Sequence, residues 1–145
     1  NQQGFQSSPA VADGRVFVGC RDAHLYAFDL HSGRPVWQFD TAMSWVVVSP
    51  AVADGIAYFA TSDSALVHAL DAATGKPVWQ QEAPAYMFSS PVVAGSVLLQ
   101  AVLNGRIGSM SGKSSPIDIP SVSAGMFLLR IEDKGTVRVS YPGRP

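Results

Sequence analysis

Cysteine, charge and long apolar runs are all scarce in this chain, and each scarcity closes a class of protein. A single cysteine, Cys20, excludes an internal disulfide framework. Only 14% of the 145 residues are charged, the formal net charge is -1, and Lys and Arg never cluster, so the basic footprint of a nucleic-acid or anionic-membrane binder is missing. No apolar run approaches the ~20 residues that cross a bilayer as a helix, which argues against a membrane span of that kind. No segment shows sustained helical periodicity. There is no Gly-x-Ser-x-Gly elbow, and Gly112-Lys113-Ser114 lacks the glycine that a phosphate loop needs five positions earlier, where Ile107 stands. What remains is 47% hydrophobic, long enough for one domain with one core and too apolar for disorder. The chain begins at Asn1 with no signal peptide, as expected of a mature or excised piece.

Against that background one phrase occurs twice: Ala27-Phe-Asp-Leu-His-Ser-Gly-Arg-Pro-Val-Trp37 and Ala69-Leu-Asp-Ala-Ala-Thr-Gly-Lys-Pro-Val-Trp79. Asp29 and Asp71 end an apolar run and can accept backbone N–H bonds inside a turn. Gly33 and Gly75 can close that turn in the left-handed conformation. Val36-Trp37 and Val78-Trp79 then restart a strand whose indole covers apolar surface.

The repetition extends further. Pro9, Pro50, Pro91 and Pro120 stand in similar phrases, at steps of 41, 41 and 29 residues. Turn candidates Asp22, Asp63, Asn104 and Asp133 each follow their proline by 13 residues. Two markers in one register make chance similarity a poor explanation. The second unit reads as four strands, Ser49–Ala53, Ile56–Thr61, Leu66–Leu70 and Lys76–Gln81, and the first as Pro9–Ala12, Arg15–Gly19, His24–Phe28 and Arg34–Phe39. Four-stranded units at this period are blades of a β-propeller. The expected architecture is all-β, with about three blades plus a partial fourth: blade 1 about 8–39, blade 2 about 46–81, a shortened blade 3 about 88–119, and an incomplete blade 4 about 120–145. In this reading Gly108–Pro116 is a loop standing where blade 3 loses its turn-plus-tryptophan segment.

No Trp-Asp dipeptide occurs, which sets aside the Trp-Asp-repeat propellers of similar period. The order Ala-x-Asp-x-x-Thr/Ser-Gly-x-x-x-Trp, carried by Asp29, Gly33, Trp37, Asp71, Gly75 and Trp79, instead resembles the tryptophan-docking repeat of pyrroloquinoline quinone-like propellers. That resemblance implies a ring of seven or eight blades. The chain is then either a fragment of a longer propeller protein or one of two copies that close a ring as a homo-oligomer. It also implies, for the enzymes of the family, a quinone in the central funnel, calcium held by Glu, Asn and Asp, an Asp base and often an adjacent cysteine pair. The pair is absent here. Asp13, Asp22, Asp29, Asp54, Asp63 and Asp71 all fall at repeat turns, where local hydrogen bonding explains them. Glu82, Glu132 and Asp118 have no ligand spacing, and His24, His31 and His68 follow the repeat rather than a metal pattern. Cys20 reads as a buried, inert thiol. The expectation is no catalytic residue, no cofactor and no metal.

One feature exceeds the scaffold. Phe5, Trp45, Tyr86 and Phe88 stand just before inner strands, on one face of the disc. Trp45, Tyr86 and Phe88 are candidates for a partner contact, with packing between blades as the competing reading. The expected function is a non-catalytic, protein-binding assembly scaffold. Kinship with the propeller lipoprotein of bacterial outer-membrane assembly implies a periplasmic or extracytoplasmic place. Its alternatives are a fragment of a quinone-dependent dehydrogenase and a truncated propeller without activity of its own.

Overall fold

The computed structural model describes residues 4–102, 126–133 and 136–140. Among these residues, twelve strands form three four-stranded antiparallel sheets, each an up-and-down meander. The first contains β1 (Ala10–Ala12), β2 (Arg15–Cys20), β3 (His24–Asp29) and β4 (Pro35–Asp40). The second contains β5 (Ala51–Ala53), β6 (Ile56–Ala60), β7 (Leu66–Asp71) and β8 (Pro77–Glu82). The third contains β9 (Val92–Ala94), β10 (Val97–Ala101), β11 (Met126–Asp133) and β12 (Thr136–Ser140). The described residues contain no helix. β1 lies beside β5 and β5 beside β9, so the sheets succeed one another as propeller blades with their first strands innermost.

The local chemistry follows the repeat. Asp13-Gly14 and Asp54-Gly55 have φ near 50° and 70°, the paired left-handed conformation of a two-residue hairpin turn, which sets Ala12 opposite Arg15 and Ala53 opposite Ile56. Asp29 Oδ1 accepts from the His31 and Ser32 amides and the Ser32 hydroxyl, and Asp71 Oδ1 does the same with Ala73 and Thr74. The serine before each proline ties blade to blade. The Ser8 amide donates to Ser49 Oγ and the Ser49 amide to Ser90 Oγ, both at 2.9 Å.

The core lies between blades. Phe17, Ala27 and Trp37 of blade 1 meet Val52, Ala57 and Ala72 of blade 2, and Leu25 and Phe39 meet Phe59 and Leu70. Tyr58, Val67, Ala69 and Trp79 of blade 2 meet Leu98, Leu129 and Ile131 of blade 3. Trp37 makes the junction specific. Its Nε1 donates to the Ala72 carbonyl at 3.1 Å, and its ring covers Gly75 so closely that a Cβ there would lie 2.6 Å from it. Gly75 (φ 72°) and Gly33 (φ 68°) need the same backbone, yet no described atom lies within 4 Å of a Cβ built on Gly33. Both alanine variants therefore suffer the left-handed strain of about 1–2 kcal/mol. Gly75→Ala adds a clash worth about 1–3 kcal/mol, so it is expected to destabilise by more than Gly33→Ala in urea denaturation. Equal losses would contradict the docking geometry.

The third blade corrects the sequence reading. Met126–Ile131 and Thr136–Tyr141 were expected in a fourth blade, about 120–145. β11 instead pairs with β10 (Leu98 opposite Leu129), and β12 pairs with β11 (Leu129 opposite Val139). They are the third and outer strands of blade 3, and the described residues make three blades. Blade 3 has not lost its outer half. It receives a longer connection, since β10 ends at Ala101 and β11 begins at Met126, where β6 and β7 are separated only by residues 61–65. The expected loop Gly108–Pro116, Asn104 and the Pro120 phrase lie outside the described residues. The tryptophan motif is nonetheless absent from this hairpin. Arg130 stands opposite Val97 where Asp71 stands opposite Ile56, and Ser140 stands opposite Leu128 where Trp79 stands opposite Ala69.

Candidate functional site

Every loop that joins β2 to β3, β4 to β5, β6 to β7 or β8 to β9 emerges at one end of the blades, because the strands alternate in direction. This face carries the exposed aromatics. Trp45 is 41% exposed, Tyr86 54% and Phe88 59%, and Met43 beside them is 87% exposed. The packing role belongs to their neighbours. Val46 and Met87 are fully buried, and their amides reach across to the Cys20 and Ser62 carbonyls at 3.2 Å. Phe5 is aligned with Val46 and Met87, four residues before its proline, rather than with Trp45 and Tyr86. It forms a β-bridge to Cys20 and sets its ring edge against Tyr26, 6.0 Å between centroids.

The loop from Thr41 to Trp45 is tightly held. The Thr41 hydroxyl lies within reach of two acceptors, the Ala23 carbonyl at 2.8 Å and the Ser44 carbonyl, which share its single O–H. The Ala42 amide donates to Asp40 Oδ1 at 2.8 Å. Asp63, across the blade junction, accepts from the Ser44 hydroxyl at 2.5 Å, the Ser62 hydroxyl at 3.0 Å and the Trp45 amide at 3.4 Å. The Ser44 hydroxyl outweighs burial and, with these other donors, holds the Asp63 carboxyl below its usual pKa. Ala42 and Met43 both sit at positive φ, 53° and 77°, a strained pair that throws the Met43 side chain outward.

Beneath this loop opens a pocket of about 320 Å³ lined by Arg21, Asp22, Ala23, His24, Asp40, Met43 and Trp45. The Arg21 guanidinium lies 4.1 Å above the Trp45 ring, a cation–π contact that fixes the indole at the rim. Tyr26 donates its hydroxyl to Asp22 Oδ2 at 2.7 Å, and His24 Nδ1 lies 3.5 Å from Oδ1. Burial pulls the Asp22 pKa upward, but the Tyr26 hydroxyl, the Cys20 thiol and His24 together bring it below the usual carboxylate value. Burial and the same carboxylate push Tyr26 up to about 12. Burial, chiefly, raises the Cys20 thiol, which is 2% exposed.

The remaining sequence candidates occupy separate places. Asp29, Gly33 and His31 form an exposed turn at the opposite end of the blades, and Asp71 and Gly75 form the turn that receives Trp37. Trp79 is set between blades 2 and 3, and its buried Nε1 has no acceptor among the described residues. His68 is buried between blades 1 and 2. Among the described residues no group of three His, Cys, Asp or Glu side chains is arranged to hold a metal ion. Also among them, no helix is long and apolar enough to cross a membrane.

Sequence reasoning did not single out Arg21, Met43 or Asp63 for this face. One signal was legible: 13 residues separate Trp37 from Pro50 and only 12 separate Trp79 from Pro91. The extra residue is in the Thr41–Trp45 loop, where five positions lead from Thr41 to Val46 while four lead from Ala83 to Met87, between matching hydrogen bonds.

A family model described as outer membrane protein assembly factor BamB, of the pyrroloquinoline quinone-like repeat type, matches residues 1–52 and 21–115. The chain belongs to this family of pyrroloquinoline quinone-like β-propeller repeats. Solved structures repeat the architecture. BamB from Moraxella catarrhalis superposes with a TM-score of 0.66 at 18% identity, over 94% of this chain and 37% of that one. A europium-containing methanol dehydrogenase gives 0.67 at 22%, over 99% and 27%. The quinohemoprotein alcohol dehydrogenase of Comamonas testosteroni gives 0.64 at 20%, over 98% and 22%. This chain therefore spans well under half the length of each of these proteins. No curated protein sequence matches it.

Proposed function

We propose that this chain is a non-catalytic propeller segment that serves as a protein-interaction or assembly scaffold outside the cytoplasm, with the face bearing Met43, Trp45, Tyr86 and Phe88 as its contact surface. The observation that carries this reading is the division of labour within each loop. Val46 and Met87 are buried and hold the blades together, while Met43, Trp45, Tyr86 and Phe88 stay 41–87% exposed at one end of the disc. Folding gains little from side chains left in water, and large aromatics on an ordered rim suit the centre of a protein interface. The pinned backbone from Thr41 to Trp45 presents Met43 and Trp45 with little ordering cost at the moment of binding. The family's description as an outer-membrane assembly factor supports both the scaffold role and the extracytoplasmic place.

The test uses a photo-crosslinking residue at Met43 or Tyr86 and, as control, at Lys76 on the opposite face. Defined adducts are expected from the first two positions and not from the third. Equal labelling at both ends would refute the assignment of the face. Titration with pyrroloquinoline quinone and calcium, followed by the cofactor's absorbance, is expected to show no saturable binding; saturable binding would favour the dehydrogenase-fragment reading instead.

A further inference from the structure

The pocket under the Thr41–Trp45 loop is charged unevenly. Its walls carry two carboxylates, Asp22 and Asp40, and one guanidinium, Arg21, beside His24, Met43 and Trp45. Among the described residues Arg21 forms an ion pair with neither carboxylate and is laid on the Trp45 ring instead. His24 comes closer, with Nδ1 3.5 Å from Asp22 Oδ1, but leaves that oxygen unsatisfied. A carbonyl only accepts, so the Nδ1 proton goes to the Asp22 carbonyl at 2.9 Å, and the neutral ring then has its lone pair at Nε2. Asp22 Oδ1 is buried and has no hydrogen bond among the described residues. Against the upward pull of burial, Tyr26, Cys20 and His24 keep the Asp22 carboxyl ionised at neutral pH. Asp40 stands exposed at the end of β4, opposite His24 in the strand register. Its Oδ1 accepts the Ala42 amide, and its Oδ2 has no donor among the described residues. Two carboxylates against one guanidinium leave the lining with a net charge of -1. The pocket thus has acceptors to spare, and its remaining walls are an indole and a thioether.

We infer, resting on the reading of this face as a protein contact, that the pocket takes an arginine side chain of the partner, with its guanidinium on Asp40 and its stem against Met43 and Trp45. Charge complementarity selects the occupant. An acidic side chain could reach Arg21 only by entering a pocket that already holds Asp22 and Asp40, and like charges at close range repel. A neutral apolar side chain would cover both carboxylates and pair with neither. A guanidinium brings five donors in one plane, enough to meet Asp40 through two parallel bonds and still turn a donor toward the Asp22 and His24 side. Its apolar stem needs a wall, and long basic side chains commonly lay their methylenes along exposed aromatic and aliphatic surface. Trp45 and Met43 supply that wall, the thioether adapting its shape to the stem. The wall is held in place from outside the pocket, because Asp63 of blade 2 accepts from the Ser44 hydroxyl and the Trp45 amide.

The probe is Nα-acetyl-arginine amide, one arginine without charged termini, titrated into the isotopically labelled full chain while amide and indole signals are followed by NMR. Saturable shifts are expected at Arg21, Asp22, His24 and Met43 and at the Trp45 indole, with none at Tyr86 or Phe88, which share the face but not the pocket. Nα-acetyl-citrulline amide has the same shape without the charge and is expected to bind about tenfold more weakly, the loss of one charge-assisted bond. Nα-acetyl-glutamate amide is expected not to saturate. Asp40→Asn keeps an acceptor for the Ala42 amide and is expected to weaken arginine binding about tenfold. Should that variant fail to fold, the arginine and citrulline titrations of the wild type decide alone. Absence of saturable shifts with the arginine probe, equal binding of citrulline, or saturation by glutamate overturns the inference. Photo-crosslinking at Met43 separates the pocket from the face. Adducts without arginine saturation leave the contact face standing and remove the arginine subsite, whereas arginine saturation without adducts keeps the cation chemistry and removes the protein partner.

Discussion

Trp37→Ala is expected to lower the unfolding free energy by about 3–5 kcal/mol, the range for removing a large aromatic from a packed interior. Three effects act together. The indole's apolar contacts with Phe17, Ala57, Ala72 and Leu70 disappear. The Ala72 carbonyl loses its donor, at a cost of about 1 kcal/mol. The surface of Gly75, shaped to the ring, is left facing a void. In a chain of stacked blades each junction contributes nearly independently, so the loss is concentrated at one of only two described junctions. Urea denaturation followed by circular dichroism reads it directly. The conservative variants separate packing from hydrogen bonding. Trp37→Phe is expected to cost about 1 kcal/mol for the missing bond, whereas Trp79→Phe removes a buried donor that has no described acceptor and is expected to cost less. A Trp37→Ala variant as stable as the wild type would remove the indole from the account of how the blades are joined.

The first two blades were legible because each of their turns has its own chemistry. Asp13-Gly14 and Asp54-Gly55 demand a two-residue hairpin, and the Asp-x-x-Ser/Thr-Gly phrase demands the longer outer turn, so strand number and order follow without ambiguity. Blade 3 was misassigned because that second marker is missing. Met126–Asp133 and Thr136–Ser140 are an apolar hairpin that, read alone, fits strands two and three as well as strands three and four. Alternation records which face a residue takes but not which neighbour its strand pairs with. The spacing of Asp133 from Pro120 then supported the wrong choice, while in the sheet Arg130, not Asp133, takes the place of Asp71. The loop face was half legible. Trp45, Tyr86 and Phe88 could be placed by their distance from the prolines, but Arg21 and Asp63 reach that face only through the pairing of distant loops.

Acidification is expected to destabilise the chain in a window set by one residue, His68. Its ring stacks on Phe59 at 4.8 Å between centroids and meets the edge of Phe39 from blade 1 at 5.6 Å. Its cross-strand partners are Phe59 on β6 and the neutral Gln80 on β8, and its buried Nε2 has no partner among the described residues. No carboxylate offsets the loss of water, so burial alone pushes the His68 pKa down from 6.5 to about 4. The folded state therefore refuses a proton that the unfolded chain accepts. Above pH 6.5 both states hold neutral imidazole and stability is complete; as pH falls from there toward 4, stability declines by about 1.4 kcal/mol per unit, about 3 kcal/mol in all. That is a large part of the roughly 5–15 kcal/mol a domain of this kind has. Asp22 and Asp63 act in a lower window. Their depressed values favour the folded chain above about 3.8, and that contribution is lost only as pH falls through the folded values beneath it. Urea midpoints measured across pH 4–7 should fall with acid in the wild type and stay nearly level in His68→Leu, which keeps the volume and removes the site of protonation. A wild-type midpoint that does not move between pH 6.5 and 4 would mean that His68 reaches water, and that the junction between blades 1 and 2 is looser than its packing requires.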